Sequence, residues 1–94
     1  MEEVWKTVNF NYSYEVSNHG NVRKVGSDKL MKPIQMKNGA YKIHLNSSPS
    51  EYKQRTIAQL VAMHFLEDYN SKKNTKHIDK NKSNCRVDNL FQTK

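Results

Sequence analysis

The sequence predicts a small α+β domain: antiparallel strands and hairpins in the N-terminal half, one central amphipathic helix, and a C-terminal β-hairpin. Three observations carry this expectation. Apolar and polar residues alternate with period two through the first 45 residues, broken by turn residues; the apolar spacing changes to a helical period near residue 57; and after residue 70 the chain is dominated by Asn, Lys, Ser and Thr, with only Ile78, Val87, Leu90 and Phe91 able to pack. Ninety-four residues support one core, because a chain this short buries little more than ~60% of its unfolded surface. Residues 1–94 are therefore expected to form a single domain, with a strand-rich part at 1–50 and a helix followed by the hairpin at 51–94.

Residues 4–10 read as a strand with Val4, Lys6 and Val8 on one face and Trp5 and Thr7 on the other, and residues 12–16 as a second in which Tyr12, Tyr14 and Val16 alternate. Ser17-Asn18-His19-Gly20 supplies turn chemistry, and residues 21–25 return as a hairpin partner. Gly26-Ser27-Asp28 turns the chain again. Residues 29–36 lead to Asn38-Gly39, a strong two-residue hairpin signal, after which Tyr41, Ile43 and Leu45 alternate with Lys42 and His44. A loop is expected at 46–50. Ile57, Leu60, Val61, His64 and Phe65 then fall at i, i+3, i+4, i+7 and i+8, one side of a helix that Thr56 is placed to cap. Residues 76–78 read as a short strand, 79–88 as a long ordered loop, and 89–92 as the return strand.

Composition narrows the function. The chain carries a formal charge of +7 and a pI near 9.6, and residues 70–94 hold seven Lys or Arg against two acids, Asp79 and Asp88. A polyanion is the economical partner, since each phosphate neutralised by a cation releases condensed counterions; the plainer reading is a lysine-rich surface that keeps a small protein soluble. The single cysteine, Cys85, excludes an internal disulfide, and no apolar run reaches the ~18 residues of a membrane span, so a reducing, cytoplasmic setting with no membrane partner is the expectation.

Three segments together carry a resemblance. Glu3-Val4-Trp5-Lys6 followed by Tyr14-Glu15-Val16-Ser17-Asn18-His19-Gly20-Asn21-Val22-Arg23 resembles the modular motif at the N-terminus of many phage homing endonucleases. Leu60-Val61-Ala62-Met63-His64-Phe65 resembles the helix that follows it. His77-Ile78-Asp79-Lys80-Asn81-Lys82-Ser83-Asn84 with Val87-Asp88-Asn89-Leu90 resembles the first two-thirds of an HNH motif. The chain as a whole thus resembles phage-type HNH homing endonucleases, which implies a ββα-metal site. In such a site a strand histidine activates water, a loop asparagine holds the hairpin together, and a divalent ion stabilises the leaving phosphate oxygens. The matching residues are His77 as general-base candidate and Asn89 as loop organiser. An imidazole titrates near neutral pH, so the assignment is chemically sound; the plainer reading of His77 is a strand histidine packed against the helix.

The departures from that pattern fall on the expected ligands. The family places Asp or Asn immediately before the histidine, where this chain has Lys76, and a protonated ammonium neither ligates a cation nor tolerates one nearby. Its second ligand sits on a helix after the Asn-Leu strand, but the chain ends at Lys94, four residues after Leu90, so a partial ββα unit lacking its final helix is expected. Ala58 stands where relatives often place histidine, and Lys80 where they place glycine, which matters if positive φ is required there. The resemblance therefore implies a truncated, catalytically degenerate HNH protein with no cofactor expected, and Mg²⁺ or Mn²⁺ only if nuclease activity is retained. Asp79, helped by Asn81 or Asn84, is a weak metal candidate that more simply caps the loop; His77 with Cys85 lacks the paired spacing of a zinc site.

Double-stranded DNA is the expected partner, with cleavage weak or lost. Arg23, Lys24, Lys29, Lys32, Lys37 and Lys42 are candidate phosphate contacts in the N-terminal half, and Lys72, Lys73, Lys76, Lys80, Lys82 and Arg86 form a second patch. Two other readings stand beside this one. A mobile-element protein could reuse the scaffold to bind and inhibit a host or rival nucleic-acid enzyme. A working metal-dependent nickase, alone or as a dimer completing its site in trans, is the third.

Overall fold

The computed structural model describes residues 2–45, 54–70 and 72–93, and the loop expected at 46–50 lies outside them. The first sheet is a three-stranded antiparallel meander of β1 (Trp5–Thr7), β2 (Tyr14–Ser17) and β3 (Val22–Lys24), with Lys6 opposite Val16 and Val16 opposite Val22. Alternation works here as expected: Tyr14, Val16 and Val22 are buried on one face, while Glu15 and Arg23 meet on the other. Both outer strands are shorter than their periodicity suggests. The chain leaves β1 through turns in which Asn11 N–H donates to the Val8 carbonyl and Tyr14 N–H to that of Asn11. Tyr12 consequently falls in a turn and is 77% exposed rather than sharing the face of Tyr14 and Val16.

The second sheet orders β4 (Ile34–Gln35), β5 (Tyr41–His44) and β6 (Gln54–Thr56), all antiparallel. Pro33 lacks an N–H for a ladder, and residues 29–36 pair only through β4 and a lone bridge between Leu30 and Arg23. β6 had no clear alternation to announce it. The hairpin at Asn38-Gly39 exists with a different loop. Gly39 N–H donates to the Met36 carbonyl and Met36 N–H to that of Ala40, and only the glycine has positive φ, +90°. This is a three-residue loop with glycine in the left-handed position, and residues 18–20 repeat it: Gly20 N–H donates to Ser17, Ser17 N–H to Asn21, and Gly20 has φ +88°.

Helix α1 (Ile57–Phe65) starts where the sequence places it. The Thr56 hydroxyl accepts from Gln59 N–H at 3.1 Å, and the Gln59 side chain accepts from Thr56 N–H at 3.3 Å, a reciprocal capping box. Ile57, Ala58, Leu60, Val61 and Ala62 are buried. At the other end Lys6 Nζ donates to the His64 carbonyl at 2.8 Å and lies 4.8 Å over the Phe65 ring, fastening α1 to β1. The third sheet is the hairpin of β7 (Asn74–His77) and β8 (Leu90–Thr93), with His77 opposite Leu90 and Lys76 opposite Phe91.

α1 packs against β2, β5, β6, β7 and β8, so all three sheets share one core. That core joins Tyr14, Val16 and Val22 from the first sheet, with Val8 just beyond β1, to Ile43 and Leu45, the helix face, Cys85 and Leu90. Such packing holds the 77–90 segment against the helix, which positions the site described next.

Candidate functional site

The loop between β7 and β8 is built around Asn89. Its Oδ1 accepts from Asp79 N–H at 3.2 Å, its Nδ2 donates to Asp79 Oδ1 and to the Asn84 carbonyl, each at 2.9 Å, and its own carbonyl accepts from Ile78 N–H at 2.7 Å. A primary amide is the side chain that can donate and accept at once, which explains the residue type. The Asp79 carboxylate completes the loop, accepting also from Asn81 N–H at 2.8 Å and Asn84 Nδ2 at 3.1 Å. Donation by Asn89, then by Asn81 and Asn84, holds the Asp79 carboxyl below its ordinary range. Both of its oxygens thus take part in the loop, Oδ1 with two donors and Oδ2 with one. Lys80 follows at φ +62°, the one non-glycine residue with positive φ among the described residues, so the turn does require the left-handed conformation.

His77 sits half-buried at the end of β7 with Nε2 3.7 Å from Cys85 Sγ. Burial lowers its pKa most, Asp79 raises it, and Lys82 lowers it further, so the ring is neutral at pH 7 and able to take a proton. Cys85 is a buried member of the core. Desolvation pushes its thiol up to about 11, so Sγ keeps its proton and donates to the Lys82 carbonyl at 3.4 Å. His77 and Cys85 gather no third ligand: no cluster of three or more His, Cys, Asp or Glu suited to a metal occurs among the described residues.

A groove of about 810 Å³ opens beside His77, between the β4–β5 hairpin, the start of α1 and the β7–β8 hairpin. Lys72, Lys73, Lys76, Lys80 and Lys82 line it with His77, and among the described residues no carboxylate does. The structure thus brings five of the six residues of the second basic patch into one concavity. Arg86 is the exception, half-buried with Nε 3.7 Å from Asp88 Oδ1. Ala58, where relatives often place histidine, also lines the groove, with Gln59 and Thr56.

The N-terminal candidates divide differently. Lys24, Lys29, Lys32 and Lys37 are exposed. Arg23 is already engaged: Nε donates to Glu15 Oε1 at 2.6 Å and the guanidinium stacks 3.8 Å from the Trp5 ring centroid. Lys42 is half-buried within β5 and has a partner inside the chain. Both therefore belong first to the framework of the sheets.

Sequence reasoning missed the joints that hold the loop to the rest of the molecule. Val87 N–H donates to the Asn18 carbonyl at 2.9 Å, and a Cβ at Gly20 would approach Cys85 Cβ to 3.0 Å, so the β2–β3 turn abuts the HNH-like loop. Lys82 Nζ donates to the Asn38 carbonyl of the β4–β5 turn. Each joins residues more than forty positions apart, and no local pattern announces such a contact; the Ser17-Asn18-His19-Gly20 segment signalled only a turn.

Comparison with known proteins places this geometry. Residues 3–46 match the NUMOD4 motif. An uncharacterized HNH endonuclease of Acanthamoeba polyphaga mimivirus is 32% identical over 92 residues, covering 94% of this chain and 23% of that protein. The solved structure described as DNA binding and cleavage by the HNH homing endonuclease I-HmuI superposes with a TM-score of 0.81 at 34% identity, covering 99% of this chain and 52% of that one. The chain thus spans about a quarter and about half of the lengths of these two relatives. The motif, the sequence relative and the fold agree: over nearly its whole length the chain is similar to HNH homing endonucleases.

Proposed function

We propose that this chain binds double-stranded DNA through its lysine-lined groove and the exposed lysines of the N-terminal sheets, and that metal-dependent cleavage is weak or lost. The single observation that carries the reading is the groove beside His77: among the described residues its walls hold five lysines and no carboxylate. Such a surface attracts phosphates strongly and offers a hard divalent ion none of the anionic oxygens it needs. The homing endonuclease of the matched structure is described as binding and cleaving DNA, and the fold shared with it supports duplex DNA as the polyanion. Asn89 and the loop it organises are in place, so the hairpin that would face the backbone is preserved. Contacts to phosphate position a protein on DNA and carry little sequence information, so modest sequence preference is expected.

The test is a salt titration of duplex binding. If six phosphates are neutralised, the logarithm of affinity falls with that of salt at a slope of about −5. A salt-independent interaction, or none, contradicts the reading.

A further inference from the structure

We infer that Lys76 and its groove neighbours take the place of the family's divalent ion: an ammonium cluster seats a backbone phosphate of DNA directly beside His77, so that binding here needs no metal. The inference rests on the DNA-binding reading and deepens it by naming what occupies the groove and what charge receives it. Three observations support it. Lys76, Lys80 and Lys82 line the same groove as His77. Among the described residues, no ion pair or hydrogen bond occupies the ammonium of Lys72, Lys73, Lys76 or Lys80, so these charges stand uncompensated. The start of α1 also borders the groove, and its first turn holds no acid to offset the positive end of the helix dipole.

The nearest carboxylate points the same way. Asp79 accepts hydrogen bonds from Asn81 and Asn89 at Oδ1 and from Asn84 at Oδ2, so drawing it onto a metal would compete with the contacts that shape the loop beside His77. A metal-bridged site has carboxylates that repel phosphate until the ion arrives, whereas here the walls attract phosphate from the outset. The two designs predict opposite signs for added magnesium. Where a metal bridges protein and phosphate, Mg²⁺ raises affinity; where ammoniums contact phosphate, Mg²⁺ competes as a counterion of DNA and lowers it or leaves it unchanged.

The experiment measures the affinity of the full chain for a short duplex in EDTA and in Mg²⁺ at matched ionic strength, for wild type, Lys76→Gln and Lys76→Asp. Wild type should bind in EDTA and gain nothing from Mg²⁺. Lys76→Gln should bind about threefold more weakly in EDTA and lose about one unit of salt slope, as expected for one phosphate contact. Lys76→Asp should weaken further in EDTA and recover when Mg²⁺ is added. Lys76 is exposed, so both variants should fold, and thermal melting verifies this. Addition of duplex should also shift the His77 imidazole NMR resonance of wild type.

Unchanged EDTA affinity in both variants, an Mg²⁺-dependent gain in wild type, or a His77 resonance unmoved by bound duplex overturns the inference while leaving DNA binding intact. Absence of any salt-sensitive binding by wild type overturns the underlying reading and the inference with it.

Discussion

At the scale of single residues, the molecule turns on side chains that do two things at once. Asn89 is buried and both donates and accepts, so Asn89→Ala leaves Asp79 N–H and the Asn84 carbonyl without their partner. A loss of about 2 kcal/mol in urea unfolding is expected. Asn89→Asp should be worse than Asn89→Ala, because it sets a carboxylate against the Asp79 carboxylate where an amide now donates. Lys80 makes the opposite case. At φ +62° a lysine is strained, and Lys80→Gly should raise stability by about 0.5–1 kcal/mol, read as an increase of roughly 4 °C in melting temperature.

Two histidines set the pH response. His64 donates from Nδ1 to the Leu60 carbonyl at 2.8 Å and accepts at Nε2 from Asn9 N–H at 3.0 Å, an arrangement that needs the neutral ring. Burial lowers its pKa, as it does that of His77. A histidine whose folded pKa lies below its unfolded value contributes stability that is fully present above the ordinary value of 6.5 and lost as pH falls through the folded values. Unfolding free energy should therefore decline on acidification below pH 6.5, and His64→Gln should flatten part of that slope.

At the scale of elements, α1 is the hub. Leu60, fully buried, touches the shared core, and Leu60→Ala should cost about 3 kcal/mol, close to unfolding a domain of this size. Thr56→Ala removes the cap that starts the helix at about 1 kcal/mol, measured by the same denaturant titration. This element was also the most legible in the sequence, since both its cap and its 3.6-residue spacing are local signals. The strands were legible in kind and order but not in length. Alternation alone cannot reveal that turns at 8–13 push Tyr12 into solvent, nor that Pro33 confines β4 to two residues. β6 was invisible because its hydrogen bonds to β5, rather than its own pattern, make it a strand.

At the scale of the whole molecule, the candidate site was legible only in part. His77, Asn89 and the second lysine patch stand out through a resemblance that spans the chain. The convergence of His77 and the five lysines of that patch on one groove depends on the β4–β5 turn meeting the 79–84 loop, a contact across forty-four residues between Lys82 and Asn38. In the N-terminal patch, likewise, a sequence cannot show that Arg23 is held by Glu15 and Trp5. What emerges is a shared core that clamps an intact histidine–asparagine hairpin beside a groove of cations. In the proposed reading, the charges around His77 favour phosphate over metal.

The most direct measurement is supercoiled-plasmid nicking by the purified chain in Mg²⁺ and in Mn²⁺, run at protein concentrations where duplex binding is saturated. Bound plasmid should remain intact with either ion. Nicking that requires Mg²⁺ or Mn²⁺ and disappears in His77→Ala would show a functioning metal site and contradict the account.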